Sequence, residues 1–289
     1  VSLLATTLEA IGPDGRKVRV AQLGSGDSTP VVLLHGYPDN LQIWSNLAPR
    51  LAARRPVVAF DWPGMGQSEP WPGGATPAHQ ADRLIALLDA WGLDRVDLVG
   101  HDMGAQPALV AAARHPDRVR RMVAMNALAI DDAATSWEIR LLRRYGWNRV
   151  ILRRLPHIVF RRAERTMLPR GIRLPADLRD DLWASFRRPE VRAFVAKLCA
   201  GYQGTLPRLP DDYARIAVPT LVLWGGRDRH FPIAQARGLH AAVCGSTLEI
   251  LEGAEHWMAW YRAEEVAARI ARFLSDPLPP GEGGGAAAG

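Results

Sequence analysis

Short, mostly apolar runs rich in β-branched and aliphatic residues recur along the chain at 31–34, 57–60, 96–99, 122–125, 220–224 and 247–251. Runs of that length are what strands buried between covering helices require. Between them lie Ala- and Leu-rich stretches at 77–91, 104–114, 232–243 and 262–274, whose apolar positions repeat at helical spacing. The alternation predicts parallel βαβ units. Two earlier runs, 7–11 and 18–22, flank Pro13-Asp14-Gly15, a turn signal, and predict an antiparallel hairpin leading into the sheet. Together these runs predict a mostly parallel, eight-stranded α/β sheet with helices on both faces.

From about 128 to 213 the pattern changes. Strand-like runs nearly vanish, and helical segments rich in Arg and Trp are punctuated by Pro156, Pro169, Pro175, Pro189, Pro207 and Pro210. That reads as a helical cap, 128–213, inserted between the first part of an α/β core (1–127) and its second part (214–275). The tail, 276–289, is Pro, Gly and Ala with almost no apolar bulk, and is expected to be disordered.

A net charge of +6 raises the question of an anionic partner. The excess sits largely in 138–192, often as pairs such as Arg143-Arg144, Arg153-Arg154, Arg161-Arg162 and Arg187-Arg188, set among apolar residues at near-helical spacing. Such a pattern reads first as the solvated face of amphipathic helices. No nucleic-acid motif accompanies it, so no nucleic-acid partner is expected. Cys199 and Cys244 make no metal spacing, and read as reduced thiols of a cytoplasmic protein. No apolar stretch approaches the ~20 residues of a membrane span, and no basic-then-apolar leader is visible.

The chemistry concentrates in three places. Gly100-His101-Asp102-Met103-Gly104 follows one buried run directly and opens a helix. A small-x-nucleophile-x-small pattern at a strand-to-helix junction is a nucleophile elbow, in which small residues permit a strained turn that thrusts the central side chain outward. Here that side chain is an aspartate. Asp228 lies just past the 220–224 run, and His256 follows the 247–251 run, both where open α/β sheets bind ligands. An early run ends in His35-Gly36-Tyr37-Pro38, so the backbone N–H groups of Tyr37 and Met103 are the expected oxyanion donors. Residues 61–68 hold a Gly-x-Gly-x-Ser ending at Ser68. It has neither a P-loop Lys nor elbow spacing and reads as structural.

These motifs, together covering nearly all of 1–275, resemble the α/β-hydrolase-fold epoxide hydrolases and their haloalkane dehalogenase relatives. The resemblance implies the α/β-hydrolase fold, a small-molecule epoxide or haloalkane substrate, no cofactor and no metal. It leaves the oligomeric state, monomer or homodimer, open. It is matched by chemistry. A carboxylate of reference pKa about 3.9 is ionised at neutral pH and needs no base to attack. On an ester it would yield a mixed anhydride; on an sp3 carbon it yields an ordinary alkyl ester, which water activated by His256, oriented by Asp228, can hydrolyse.

The leaving group separates the two activities. An opening epoxide needs a proton donor, and a tyrosine O–H with pKa about 10 suits it. A halide needs only N–H groups to cradle it. In the resembling families, dehalogenases commonly place a Trp after the nucleophile, whereas Met103 stands here, and Tyr37 rather than Asn follows His35-Gly36. Epoxide hydrolases supply two cap tyrosines, which points to Tyr145 and Tyr202, with Tyr213 the alternative for the second. Trp147 is expected to contact substrate; an indole from Trp137, Trp147 or Trp183 would instead serve a dehalogenase. A non-catalytic binding protein on the same fold is the remaining alternative, and it would usually lack a triad member.

Overall fold

The apolar runs become strands β1 (Thr7–Ala10), β2 (Lys17–Leu23), β3 (Val31–Leu34), β4 (Val57–Phe60), β5 (Val96–His101), β6 (Val119–Met125), β7 (Thr220–Gly225) and β8 (Thr247–Leu251). The computed structural model describes residues 2–144 and 146–275, so the expectation for the tail lies outside the described residues. The strands hydrogen-bond in the order β1-β2-β4-β3-β5-β6-β7-β8. β2 runs antiparallel to β1 and β4, and every other pair is parallel. β3, β4 and β5 are buried at every position, which is why they read as continuous apolar runs rather than alternating ones.

The first helices are α1 (Ala48–Ala52), α2 (Pro77–Ala90) and α3 (Ala105–Arg114). Thr76 caps α2 by accepting from the His79 N–H, with Pro77 in the first turn, where a missing N–H does no harm. Between β6 and β7 lie α4 (Trp137–Leu142), α5 (Trp147–Arg154), α6 (Pro156–Met167), α7 (Ala176–Phe186), α8 (Pro189–Thr205) and α9 (Leu209–Tyr213). The punctuating prolines start helices here: Pro156, Pro189 and Pro210 occupy first turns, and Pro175 precedes α7. The chain closes with α10 (Ile233–Ala242), α11 (Met258–Tyr261) and α12 (Ala263–Ser275). α12 buries Val266, Ile270 and Leu274 at four-residue spacing, while Arg269 and Arg272 on its outer face bond Glu249 of β8.

Polar bonds tie the inserted helices to the sheet. Asp181 of α7 accepts from Nη1 and Nη2 of the Arg19 guanidinium on β2, at 2.9 and 2.8 Å, and from the Asn40 amide at 2.7 Å. At the far end Arg114 of α3 pairs with Asp212 of α9 at 3.0 Å. Ser68 donates to the Asp61 carbonyl and accepts from the Arg19 N–H, so it fastens a turn. Both cysteines are free, Cys199 buried and Cys244 exposed.

Candidate active site

β5 ends in an extended His101, and the chain then turns so sharply that Asp102 adopts φ 52°. A left-handed backbone costs a non-glycine residue about 1–2 kcal/mol. The surroundings enforce it, because the turn packs directly on the end of β3. A Cβ on Gly104 would lie 2.2 Å from the Leu34 carbonyl oxygen, and one on Gly36 would lie 2.3 Å from the Asp102 Cβ.

The Asp102 carboxylate is thereby held between two groups. Its Oδ1 accepts the Tyr37 N–H at 2.9 Å, and the Met103 N–H also bonds the carboxylate. Its Oδ2 lies 3.5 Å from His256 Nε2. His256 Nδ1 in turn sits 2.7 Å from Asp228 Oδ2. Asp228 is saturated with donors: the Asn126 amide at 2.6 Å, the His230 N–H at 2.8 Å and the Phe231 N–H at 3.0 Å. His256 Nε2 is buried and makes no hydrogen bond among the described residues, the Asp102 approach being an ion-pair distance.

Burial and charge set the protonation states. Burial pushes the Asp102 carboxyl up to about 7, against the opposing pull of His256 and its two N–H donors. This corrects the expectation of a carboxylate fully ionised at neutral pH: the elbow removes it from water, and two N–H groups and a histidine only partly compensate. Asp228 goes the other way. Burial alone would raise it, but His256, the Asn126 amide and the backbone donors bring it down to about 2. Burial disfavours the His256 imidazolium, yet Asp228, Asp102 and Asp39 more than offset that and raise its pKa. Neighbouring His101 and His230 are lowered to about 4 by burial and by His256, so they stay neutral.

Asp102 opens on a cavity of about 170 Å³ between the sheet end and the inserted helices. Its floor includes Tyr37, Met103, Gln106, His230 and Phe231, and its wall is aliphatic, with Leu128, Leu142, Ile151, Val159 and Met167. Tyr202 of α8 lines the same cavity and donates to Gln106 Oε1 at 3.2 Å. The Gln106 amide is itself fixed on the Leu128 carbonyl at 2.7 Å. Burial, reinforced by the thiol of Cys199 and by Asp102, raises the Tyr202 phenol well above its ordinary value, so it keeps its proton. At the mouth Arg162 pairs with Glu138 and lies over the Trp137 ring at 5.7 Å.

Other expected residues lie elsewhere. Tyr145 is outside the described residues. Tyr213 is buried on α9, which packs against α3 and α10, and does not line the cavity. Trp147, expected at the substrate, opens α5 at its solvent end and is 66% exposed; Ile151, one turn on, supplies the wall instead. Trp183 stacks on His157, away from the cavity.

Three residues escaped the sequence reading: Asn126, Gln106 and His230. Asn126 directly follows β6, at the same strand ends as Asp102, with φ 42°. An Asn directly after a buried run is a detectable signal, because Asn tolerates that backbone and presents an amide at the strand end. Among the described residues no three His, Cys, Asp or Glu side chains converge to hold a metal ion.

Comparison with known proteins identifies the fold and the enzyme class. The α/β hydrolase fold family matches residues 29–263. A 2-hydroxy-6-oxononadienedioate/2-hydroxy-6-oxononatrienedioate hydrolase from Pseudomonas putida is 31% identical over 270 residues, covering 87% of this chain and 89% of the relative. A 2-hydroxymuconate semialdehyde hydrolase from a Pseudomonas species (strain CF600) is 30% identical over 261 residues, covering 87% and 89%. Among solved structures, a bacterial membrane phospholipase A superposes with a TM-score of 0.80 at 27% identity, over 94% of this chain and 86% of that one. With its family match spanning most of the sequence, the chain belongs to the α/β-hydrolase-fold family and is a hydrolase of that fold.

Proposed function

We propose that this hydrolase opens epoxides to vicinal diols through a covalent alkyl ester on Asp102. The observation that carries the reading is a buried carboxylate at the elbow, with His256 beside one oxygen, a backbone N–H on the other and a phenol in the same cavity. The named relatives bring the class hydrolase to this chain. The elbow carboxylate argues for attack on an sp3 carbon, since acyl attack would leave a mixed anhydride.

Asp102 Oδ2, the oxygen not held by Tyr37, attacks the epoxide carbon, and the C–O bond breaks toward Tyr202. The phenol delivers its proton to the leaving oxygen as alkoxide character develops. Its present bond to Gln106, at 3.2 Å, is long for an O–H···O contact and is readily exchanged for substrate. Esterification removes the negative charge of Asp102, one of the groups that raise the His256 pKa. His256 therefore sheds its proton more readily and is present as the neutral imidazole that can accept one, at the moment a base is needed. It takes a proton from water, which adds to the ester carbonyl. The developing oxyanion is Oδ1, which already accepts the Tyr37 N–H, and the Met103 N–H is bonded to the same carboxylate. Collapse breaks the bond to Oδ2, which leaves in the diol and takes the proton from His256, and the proton remaining on the Asp102 carboxyl returns to Tyr202, restoring carboxylate, imidazole and phenol. Asp228 keeps the imidazole oriented and balances its charge.

The dehalogenase reading has less support. Among the described residues Trp137 is the one tryptophan lining the cavity, and it is 55% exposed, not the buried indole N–H a halide cradle needs. A matched panel of epoxides and haloalkanes, assayed for diol and for halide, separates them. Diol without halide release is expected; halide release without diol formation would overturn the proposal in favour of the dehalogenase. Neither product, with no ester formed on Asp102, would favour a binding protein.

A further inference from the structure

The inserted helices carry a second feature that catalysis does not use. Residues 138–192 contain fifteen arginines against six carboxylates, an excess larger than the +6 of the whole chain. The same region exposes large apolar side chains. Of the seven so exposed among the described residues, five lie there, Trp147, Val150, Leu155, Ile158 and Ile172, and Trp137 stands immediately before it. Trp137, Val150 and Ile158 are 55%, 55% and 62% exposed. Leu155 joins α5 to α6, and Arg153, Arg154 and Arg192 line an outer groove with Val150 beside it. Trp137 and Ile158 also line the Asp102 cavity, so two of these exposed apolar side chains stand at the way in.

We propose that this face docks on an anionic lipid bilayer, with the arginines on headgroup phosphates and Trp137, Leu155 and Ile158 at the acyl boundary. Basic residues around a modest apolar surface are the composition of an interfacial helix, and indoles favour that depth. A second copy of this chain is the poorer occupant, because it would set one arginine excess against another. Nucleic acid would satisfy the arginines but leave the exposed Ile, Leu and Val in water. No described helix is long and apolar enough to cross a membrane, so the contact is peripheral. Docked this way, the cavity mouth opens onto the bilayer and its aliphatic wall receives a lipophilic molecule without passage through water. The inference does not depend on which bond the enzyme cleaves.

Flotation of the full chain with two vesicle preparations tests it: phosphatidylcholine alone, and equal parts phosphatidylcholine and phosphatidylglycerol. Binding to the anionic vesicles only, released by high salt, is expected. Arg153→Glu combined with Arg154→Glu should weaken that binding by roughly 30-fold or more, because each basic residue near such a surface is worth about fivefold. Val150→Ser and Leu155→Ser should each weaken it less. All are solvent-exposed changes, and an unchanged thermal melt verifies that the fold persists. Several results would overturn the proposal: no binding to anionic vesicles, equal binding to both preparations, or full retention by the charge-reversed variant. So would arginine-dependent self-association, or capture of a soluble polyanion without vesicle binding.

Discussion

The loops after β5 and β7 each place a buried aspartate at the same sheet edge, and the two carboxylates have opposite characters. Asp228 accepts from Asn126, His230, Phe231 and His256, so its charge is fully met and its pKa falls to about 2. Asp102 has two backbone donors and a histidine 3.5 Å away, and burial leaves it near 7. Burial is common to both; the difference is the closer His256 and the extra donor at Asp228, and the negative charge of Asp39 that also raises Asp102. A carboxylate with all its partners is a fixed charge that orients a neighbour. One that lacks them is destabilised in the ground state, and forming an ester relieves it.

The largest effect follows from removing the underdonated one. Asp102→Asn should abolish alkylation, measured as ester on the intact protein by mass spectrometry. It should also stabilise the fold. A group whose pKa is raised on folding contributes stability below its unfolded value, and that contribution is lost as pH rises through its folded value. The variant should therefore melt higher than the parent above pH 7, with the gap closing as pH falls toward 4. The wild-type alkylation rate should rise with pH through about 7, as Asp102 ionises. If Asp102→Asn melted lower at pH 8 than at pH 4 relative to the parent, the electrostatic contrast would be wrong.

Removing the saturated carboxylate should act on the other step. Asp228→Asn leaves the nucleophile intact but loses the acceptor that fixes the His256 tautomer, a change worth ~10⁴-fold in an analogous triad. Ester should accumulate while diol release stalls. The variant should also lose about 2 kcal/mol of stability above pH 4, because a depressed pKa contributes stability that disappears only as pH falls through about 2. Equal loss of alkylation and hydrolysis would contradict the division of labour. Asn126→Ala removes one charge-assisted bond to Asp228, worth ~1.5–3 kcal/mol. It should slow hydrolysis by about ten- to a hundredfold in the same direction.

Tyr202→Phe touches neither carboxylate, and Phe preserves the packing. It should slow alkylation by up to the ~10²–10⁴-fold that general acid catalysis supplies, with hydrolysis of preformed ester unchanged. Tyr213→Phe, outside the cavity, should leave both steps alone. A crippled Tyr213→Phe with an unimpaired Tyr202→Phe would reverse the choice of phenol.

The sheet side of this account was far more legible in sequence than the helical side. Strands and turns are local: apolar runs at 96–99 and 220–224, followed by elbow and turn residues, put Asp102 and Asp228 past strand ends with no tertiary information. All eight strands and the four expected helices, α2, α3, α10 and α12, formed within a few residues of expectation, whereas α1, which packs on β4, was not expected. Register then brings separate strand ends together, since every strand from β3 to β8 in the parallel stretch points the same way. In the inserted helices, which residue faces the cavity depends on how each helix rolls on its neighbours. Trp147 and Ile151 are one turn apart, yet one lies in solvent and the other in the wall. Gln106 was invisible for a similar reason: its partner, Tyr202, comes from 96 residues away. The pKa of Asp102 also depends on a count of donors that only the folded chain supplies.

The central claim, that Asp102 forms and loses a covalent ester, is tested most directly by a single turnover with excess enzyme in 18O-labelled water. Water adds to the ester carbonyl, so the account predicts label in the Asp102 carboxylate and an unlabelled oxygen delivered from the enzyme to the diol. Peptide mass spectrometry after digestion reads the first, and product mass spectrometry the second. Label found in the diol, with none in Asp102, would mean that water attacks the substrate directly and would contradict the account.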